Sequence, residues 1–116
     1  FVTSEGGRSY DLGPDHPLTP LRRQLAVDLI RAYGLTARPG VTEIAAAPAD
    51  DALIERVHAP AYVRAVKRYS AAPALAAEWE ARQWGLAPGG DTPAFAGMHE
   101  AAAAVCGASV TGAMEV

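Results

Sequence analysis

One short apolar segment, lying between helical stretches, limits the folds that this chain can adopt. Residues 41–46 are mostly apolar and lie between Pro39-Gly40 and Pro48, a pattern typical of a buried strand. A single buried strand leaves its backbone N–H and C=O groups without partners, which is energetically costly. A second, shorter strand is predicted at residues 1–3. Because helices separate the two strands, we expect them to run parallel in one sheet.

Two short strands are too few to form the core of a domain. We therefore expect the remaining strands to lie outside these 116 residues, and we interpret the chain as part of a larger α/β domain. The alternative is a small helical domain that folds by itself, in which residues 41–46 are only a connector.

The other segments carry the patterns of helices. The clearest helix follows Thr19 as the N-cap residue, has Pro20 at its first position and ends at Gly34. Apolar residues on one face of this helix recur at three- and four-residue spacing: Leu21, Leu25, Ala26, Leu29, Ile30 and Tyr33. Further helices are predicted over 51–57, from residue 60 to about residue 69, over 74–83, and from residue 93 or 98 to 116. In the last one, Gly107 and Gly112 each lower helix propensity by about 1 kcal/mol, which predicts close packing there.

Charge and composition exclude several classes of function. The net charge is −3, and the densest basic spots are only pairs, Arg22-Arg23 and Lys67-Arg68, so no nucleic-acid partner is expected. No apolar run approaches the roughly 20 residues of a membrane span, and residues 1–8 lack the pattern of a signal peptide, so we expect a cytoplasmic protein. The single cysteine excludes a cysteine-rich zinc site. None of the three histidines has a second ligand at helical spacing, so no metal site is expected within the chain.

Two polar residues next to helix starts are candidates for a site. Arg22 follows a stiff loop, residues 11–19, and lies in the first turn of a helix, which also carries the apolar Leu21 and Leu25. Asp91 lies in Gly90-Asp91-Thr92-Pro93, at the tip of a Gly- and Pro-rich loop before the last helix. From the residues alone, Arg22 is equally well explained as a surface arginine, and Asp91 as a turn or cap residue.

Four short sequence motifs, taken in their order along the chain, resemble those of a known family. They are YDLGPDHPLTPLR at residues 10–22, AYGL at 32–35, VHAPAYV at 57–63 and DTPAFAGMHEA at 91–101. Together they resemble the histone deacetylase superfamily, and most closely its bacterial acetoin-utilization (AcuC-like) branch. The resemblance covers essentially the whole chain.

The resemblance implies a single three-layer α/β domain of the arginase/deacetylase type, with a central and mostly parallel sheet. Residues 1–116 match its N-terminal portion, ending before the zinc ligands and the catalytic histidines, so no catalytic or metal residue is expected in this chain. Asp91 matches the loop carboxylate that accepts backbone N–H bonds from the substrate. Arg22, with Leu18 and Pro17, matches the internal channel that holds departing acetate.

The function implied is zinc-dependent hydrolysis of N-acetyl-lysine in proteins, or of a related small acetylated amine. This segment alone is expected to be inactive. Three alternatives stay open: an acetylpolyamine-type amidohydrolase, a non-catalytic relative that binds acetylated ligands, and an unrelated helical interaction domain. Intact zinc ligands and catalytic histidines after residue 116 would favour an enzyme over a binding module.

Overall fold

The computed structural model of the chain describes residues 1–4, 6, 9–14, 16–77 and 79–116. Two residues of predicted features lie outside the described residues: Asp15, in the motif at residues 10–22, and Glu78, in the predicted helix 74–83. The elements in chain order are β1 (Val2–Thr3), α1 (Pro20–Ala32), β2 (Ile44–Ala45), α2 (Asp51–Ile54), α3 (Pro60–Ala71), α4 (Trp79–Gln83) and α5 (Met98–Met114). Two 3₁₀ turns, Leu35–Ala37 and Pro73–Ala77, follow α1 and α3.

The two predicted strands pair in parallel. Val2 of β1 is in register with Ile44 of β2, and the Ile44 N–H donates to the Phe1 carbonyl at 2.9 Å. This mixture of helices with a small parallel sheet is compatible with the predicted α/β class. The pairing also favours a strand over a mere connector at this position. The three-layer arrangement stays a prediction.

The strand predicted over residues 41–46 is shorter and less buried than the sequence indicates. Only Ile44–Ala45 is paired, Ile44 is half-buried and Ala45 is exposed. The prediction of a buried strand is therefore wrong for the described residues. The physical reason is that, among those residues, only β1 pairs with β2, so its other edge has no neighbour and its faces are poorly covered.

Helix α1 begins and ends where the sequence predicts. It starts at Pro20, and Gly34 follows its end with φ +63°, a left-handed conformation that glycine adopts without strain. Thr19 is the N-cap residue, but its side chain makes no capping hydrogen bond. The predicted apolar face is present and exposed: Leu21 and Leu25 expose 62% and 57% of their surface, and no residue of α1 is buried.

The shape of the molecule explains this exposure. Its principal extents are 53 × 33 × 17 Å, a thin and extended shape, and its Cα radius of gyration is 16.0 Å, against about 13 Å for a compact domain of this length. Its accessible surface is 7576 Å², against about 6,000 Å² for a compact monomer of 12.1 kDa. The described residues are therefore too thinly layered to cover the apolar face of α1.

The best-packed part of the structure lies around α3. Tyr69 is fully buried, and Val63 on the same helix face is 3% exposed. The core residues that pack around Tyr69 come from α3, the turn after it, α4, the following loop and α5: Ala65, Ala76, Ala81, Leu86 and Met98. Asp50 caps the preceding α2 by accepting the Leu53 N–H at 2.8 Å. Helix α2 is shorter than predicted, since residues 55–58 continue as turns up to Pro60.

Helix α5 crosses the segment 47–49 at Gly107. A Cβ atom at Gly107 would overlap the Ala47 carbonyl oxygen and lie 2.8 Å from the Ala49 nitrogen. The Ala49 N–H donates to the Ala103 carbonyl of α5 at 2.9 Å, which fixes the crossing. The prediction of close packing is thus confirmed for Gly107. It is wrong for Gly112, where an added Cβ would meet Val2 at an ordinary 3.7 Å.

Among the described residues, none of the helices combines the length and apolar character that crossing a bilayer requires.

Candidate functional site

Asp91 lies at the exposed tip of the loop between α4 and α5, as predicted from its Gly- and Pro-rich neighbours. Two hydrogen bonds close the base of this loop: the Thr92 hydroxyl donates to the Gly85 carbonyl at 2.9 Å, and the Ala94 N–H donates to the Leu86 carbonyl at 3.0 Å. Leu86 is buried in the core. In the part of the chain that the structure describes, the Asp91 carboxylate has no hydrogen-bond or ion-pair partner, so it is available to accept N–H donors.

The segment before α1 packs against this loop. The Tyr10 ring meets the Phe95 ring edge to face, with centroids 5.4 Å apart. The Gly13 N–H donates to the Asp11 carboxylate at 3.0 Å, and the His16 N–H donates to the Gly13 carbonyl at 3.2 Å, so this segment holds its own turns. A cavity of about 100 Å³ lies between the two segments.

His16 connects the segment before α1 to the tip of the Asp91 loop. Its Nε2 lies 3.0 Å from the Asp91 carbonyl oxygen, and its Nδ1 accepts the Leu18 N–H at 3.1 Å. The predicted channel residues Pro17 and Leu18 are thereby held close to the predicted substrate residue Asp91. Sequence reasoning missed this role of His16, because the partner lies 75 residues away. The sequence signal that could have drawn attention to His16 is its position directly before Pro17, which restricts its backbone.

Arg22 lies on the first turn of α1 and is exposed. Leu18 and Pro17, which precede the helix, are exposed as well. Within the described residues, no hydrogen bond or ion pair involves the Arg22 guanidinium, and the structure does not bring Arg22 into contact with Asp91. The next residue, Arg23, donates to the Ser4 carbonyl at 3.3 Å and ties α1 to the end of β1.

A second polar cluster holds the N-terminal end of α5 on α2 and α3. The Asp51 carboxylate accepts a hydrogen bond from Lys67, and the His99 Nε2 lies 3.5 Å from the Asp51 Oδ1. The Ser70 hydroxyl donates to the Glu100 carboxylate at 3.0 Å and accepts the His99 N–H at 3.2 Å. The Lys67 bond lowers the pKa of Asp51, and the N–H of Glu100 itself, followed by the Ser70 hydroxyl, lowers the pKa of Glu100.

The described residues do not provide a metal site. No group of three or more His, Cys, Asp or Glu side chains among them converges on a common point. Both ring nitrogens of His16 are already engaged by the loops that it joins.

The family model of the histone deacetylase domain matches residues 16–116. The acetoin utilization protein AcuC of Bacillus subtilis (strain 168) is 33% identical over 113 residues, which are 97% of this chain and 28% of AcuC. Histone deacetylase B of Dictyostelium discoideum is 29% identical over 109 residues, 93% of this chain and 24% of that protein. The chain thus spans about a quarter of the length of these relatives. Because the family model matches nearly the whole chain, the chain belongs to the histone deacetylase family.

Proposed function

We propose that the full-length protein is a deacetylase that hydrolyses N-acetyl-lysine in proteins, or a related acetylated amine, and that this segment supplies its substrate loop and part of its internal channel. Family membership supports the reaction class. The observation that carries the proposal for this segment is the Asp91 carboxylate, which is exposed on a braced loop and has no partner among the described residues.

Asp91 has the chemistry that recognition of a peptide backbone needs. A carboxylate has two oxygens and can accept two N–H donors at once. Hydrogen bonds to a charged acceptor are stronger than neutral ones. Because the base of the loop is closed by Thr92 and Ala94, the free carboxylate does not need the loop to be reordered before it binds. Asp91 therefore acts as a clamp on the N–H groups next to an acetylated lysine.

Arg22 is suited to a carboxylate product. Its planar guanidinium offers two parallel N–H donors, which match the two oxygens of acetate. Leu18, which precedes the helix that carries Arg22, gives an apolar side chain of the kind expected in a channel wall, and both residues are exposed. The proposal therefore assigns Arg22, with Leu18 and Pro17, to the wall of a channel that is completed by other parts of the full-length protein.

Zinc is implied by the resemblance to the family, and the described residues do not fit it. We propose that the zinc ligands and the catalytic histidines lie in sequence after residue 116.

The proposal is tested with Asp91→Ala and Asp91→Asn in the full-length protein. Two substrates are compared: an acetyl-lysine peptide, and a neutral acetylated alkylamine that has no peptide N–H groups. Loss of a charge-assisted hydrogen bond is expected to lower kcat/KM for the peptide by about 10–100-fold in the alanine variant. The asparagine variant keeps one acceptor oxygen, so its loss should be smaller. The alkylamine should be turned over at the wild-type rate, with unchanged zinc content.

Glu55→Gln serves as the control, since Glu55 is an exposed carboxylate at the end of α2, outside both loops. Wild-type kinetics of Asp91→Ala on the peptide would remove Asp91 from the substrate site. Faster turnover of an acetylated polyamine than of the peptide would favour the polyamine alternative. Absence of zinc together with binding of acetylated ligands would favour the non-catalytic one.

A further inference from the structure

The bonds of His16 indicate which of its ring nitrogens carries the hydrogen. The Leu18 N–H can only donate, so the Nδ1 that it meets at 3.1 Å must carry a lone pair. The Asp91 carbonyl can only accept, so the Nε2 that it meets at 3.0 Å must carry the hydrogen. This pattern corresponds to the Nε2–H tautomer of His16, in which both ring nitrogens make a hydrogen bond.

The backbone of His16 is also restrained. Because Pro17 follows, the helical region of backbone conformation is disfavoured at His16, which restricts the conformations open to its backbone. Its own N–H donates to the Gly13 carbonyl at 3.2 Å. The ring therefore projects from a short segment that is fixed both by proline and by a turn.

The bond from His16 acts on the residue that carries the proposed clamp. The base of the Asp91 loop is held by bonds from Thr92 and Ala94, but both lie on the side towards α5. Among the described residues, His16 is the contact that holds the Asp91 carbonyl from another segment of the chain. Holding this carbonyl restrains the peptide plane after Asp91, and so narrows the range of directions in which the Asp91 side chain can leave the backbone.

We propose that His16 is a positioning residue: its neutral ring joins residues 16–18 to Asp91 and holds the Asp91 carboxylate in the orientation that binds peptide N–H groups. This inference rests on the proposed function of Asp91. It also predicts that a shift in the position of Pro17 and Leu18 is accompanied by a shift of Asp91, because the side chain of His16 bonds to both loops.

Two isosteric variants separate the two bonds of the ring. In His16→Asn the amide oxygen replaces Nδ1, so the bond to Leu18 is kept and the bond to Asp91 is lost. In His16→Gln the amide nitrogen reaches the place of Nε2, so the bond to Asp91 is restored. We expect His16→Asn to lower kcat/KM for the acetyl-lysine peptide roughly 3–10-fold, and His16→Gln to recover most of it. Neither should change turnover of the neutral acetylated alkylamine.

A double-mutant cycle with Asp91→Ala tests whether His16 acts through Asp91. If it does, His16→Asn has no further effect on peptide turnover once Asp91 is alanine. Additive losses, equal losses on both substrates, or wild-type kinetics of His16→Asn would each overturn the positioning role. The tautomer of the His16 ring can be measured independently by ¹⁵N NMR of the full-length protein, which should show a protonated Nε2 and an unprotonated Nδ1.

These readouts separate the two proposals. If Asp91→Ala alone leaves peptide turnover unchanged, the proposed function of Asp91 fails, whatever the ring of His16 shows. If Asp91→Ala lowers peptide turnover but His16→Asn does not, the clamp stands and the positioning role of His16 is refuted. A ring protonated on Nδ1 would likewise refute it, because Leu18 would then have no acceptor.

Discussion

Replacement of Gly107 by alanine tests the packing that places α5. Gly107 is helical and buried, and α5 passes the backbone of residues 47–49 there. An added Cβ would overlap the Ala47 carbonyl oxygen and lie 2.8 Å from the Ala49 nitrogen. Carbon atoms normally stay about 3.3 Å or more from such backbone atoms, so the Ala47 carbonyl would have to retreat by more than about 1 Å. Backbone cannot rotate away as a flexible side chain can.

Three effects set the size of the change. Overpacking of a well-packed contact costs about 1–3 kcal/mol. Retreat of the segment also weakens the bond from the Ala49 N–H to the Ala103 carbonyl, which contributes about 1 kcal/mol. Alanine in place of glycine raises helix propensity by about 1 kcal/mol, which offsets the lost bond. The expected net result is a destabilisation of about 1–3 kcal/mol.

Urea unfolding of the full-length protein measures this difference, with Gly112→Ala as the matched control on the same helix. An added Cβ at Gly112 lies 3.7 Å from the Val2 side chain, an ordinary contact. The control should therefore be unchanged or more stable by up to about 1 kcal/mol. If Gly107→Ala were as stable as the wild type, the crossing at residues 47–49 would not be as close as described, and the reasoning would be refuted.

Two other perturbations test the channel and the polar cluster. Arg22→Ala should weaken inhibition by the product acetate about tenfold, because a charged hydrogen bond is lost; unchanged inhibition in steady-state assays would return Arg22 to a surface role. The pKa values of Asp51 and Glu100 are lowered in the folded state, so the ionised carboxylates stabilise the fold. This contribution to stability is fully present above about pH 4.3 and is lost as the pH falls through the lowered pKa values of the folded state. The double variant Asp51→Asn, Glu100→Gln should therefore lose less free energy of unfolding than the wild type when the pH is lowered, as measured by unfolding at each pH. An equal loss in the variant and the wild type would contradict this.

The starts of the helices could be predicted from the sequence, because their signals are local. Thr19-Pro20 places the start of α1, Asp50 caps α2 through the next turn, and Pro60 begins α3. The exposed tip position of Asp91 also follows from its Gly and Pro neighbours. In each case the physical cause lies within about four residues of the feature that it determines.

Features that depend on distant partners could not be predicted in the same way. The apolar pattern of α1 identifies a face, but it does not say whether anything covers that face. The run 41–46 indicates a strand, but the length that pairs depends on β1, about 40 residues earlier. The bond from His16 to Asp91 spans 75 residues, and no local pattern in the sequence predicts it.

The two candidate regions of the site differ in what supports them, and this decides which tests are the more direct. Asp91 is held by the base of its loop, by the core through Leu86, and by His16 from the opposite side. Arg22 lies on a helix with no buried residue, so the described residues do not hold its side chain in place. The backbone position of Asp91 is therefore set largely within this segment, whereas the surroundings of Arg22 are not. For this reason the variants of Asp91 and His16 test the proposed function on geometry that the chain itself supplies.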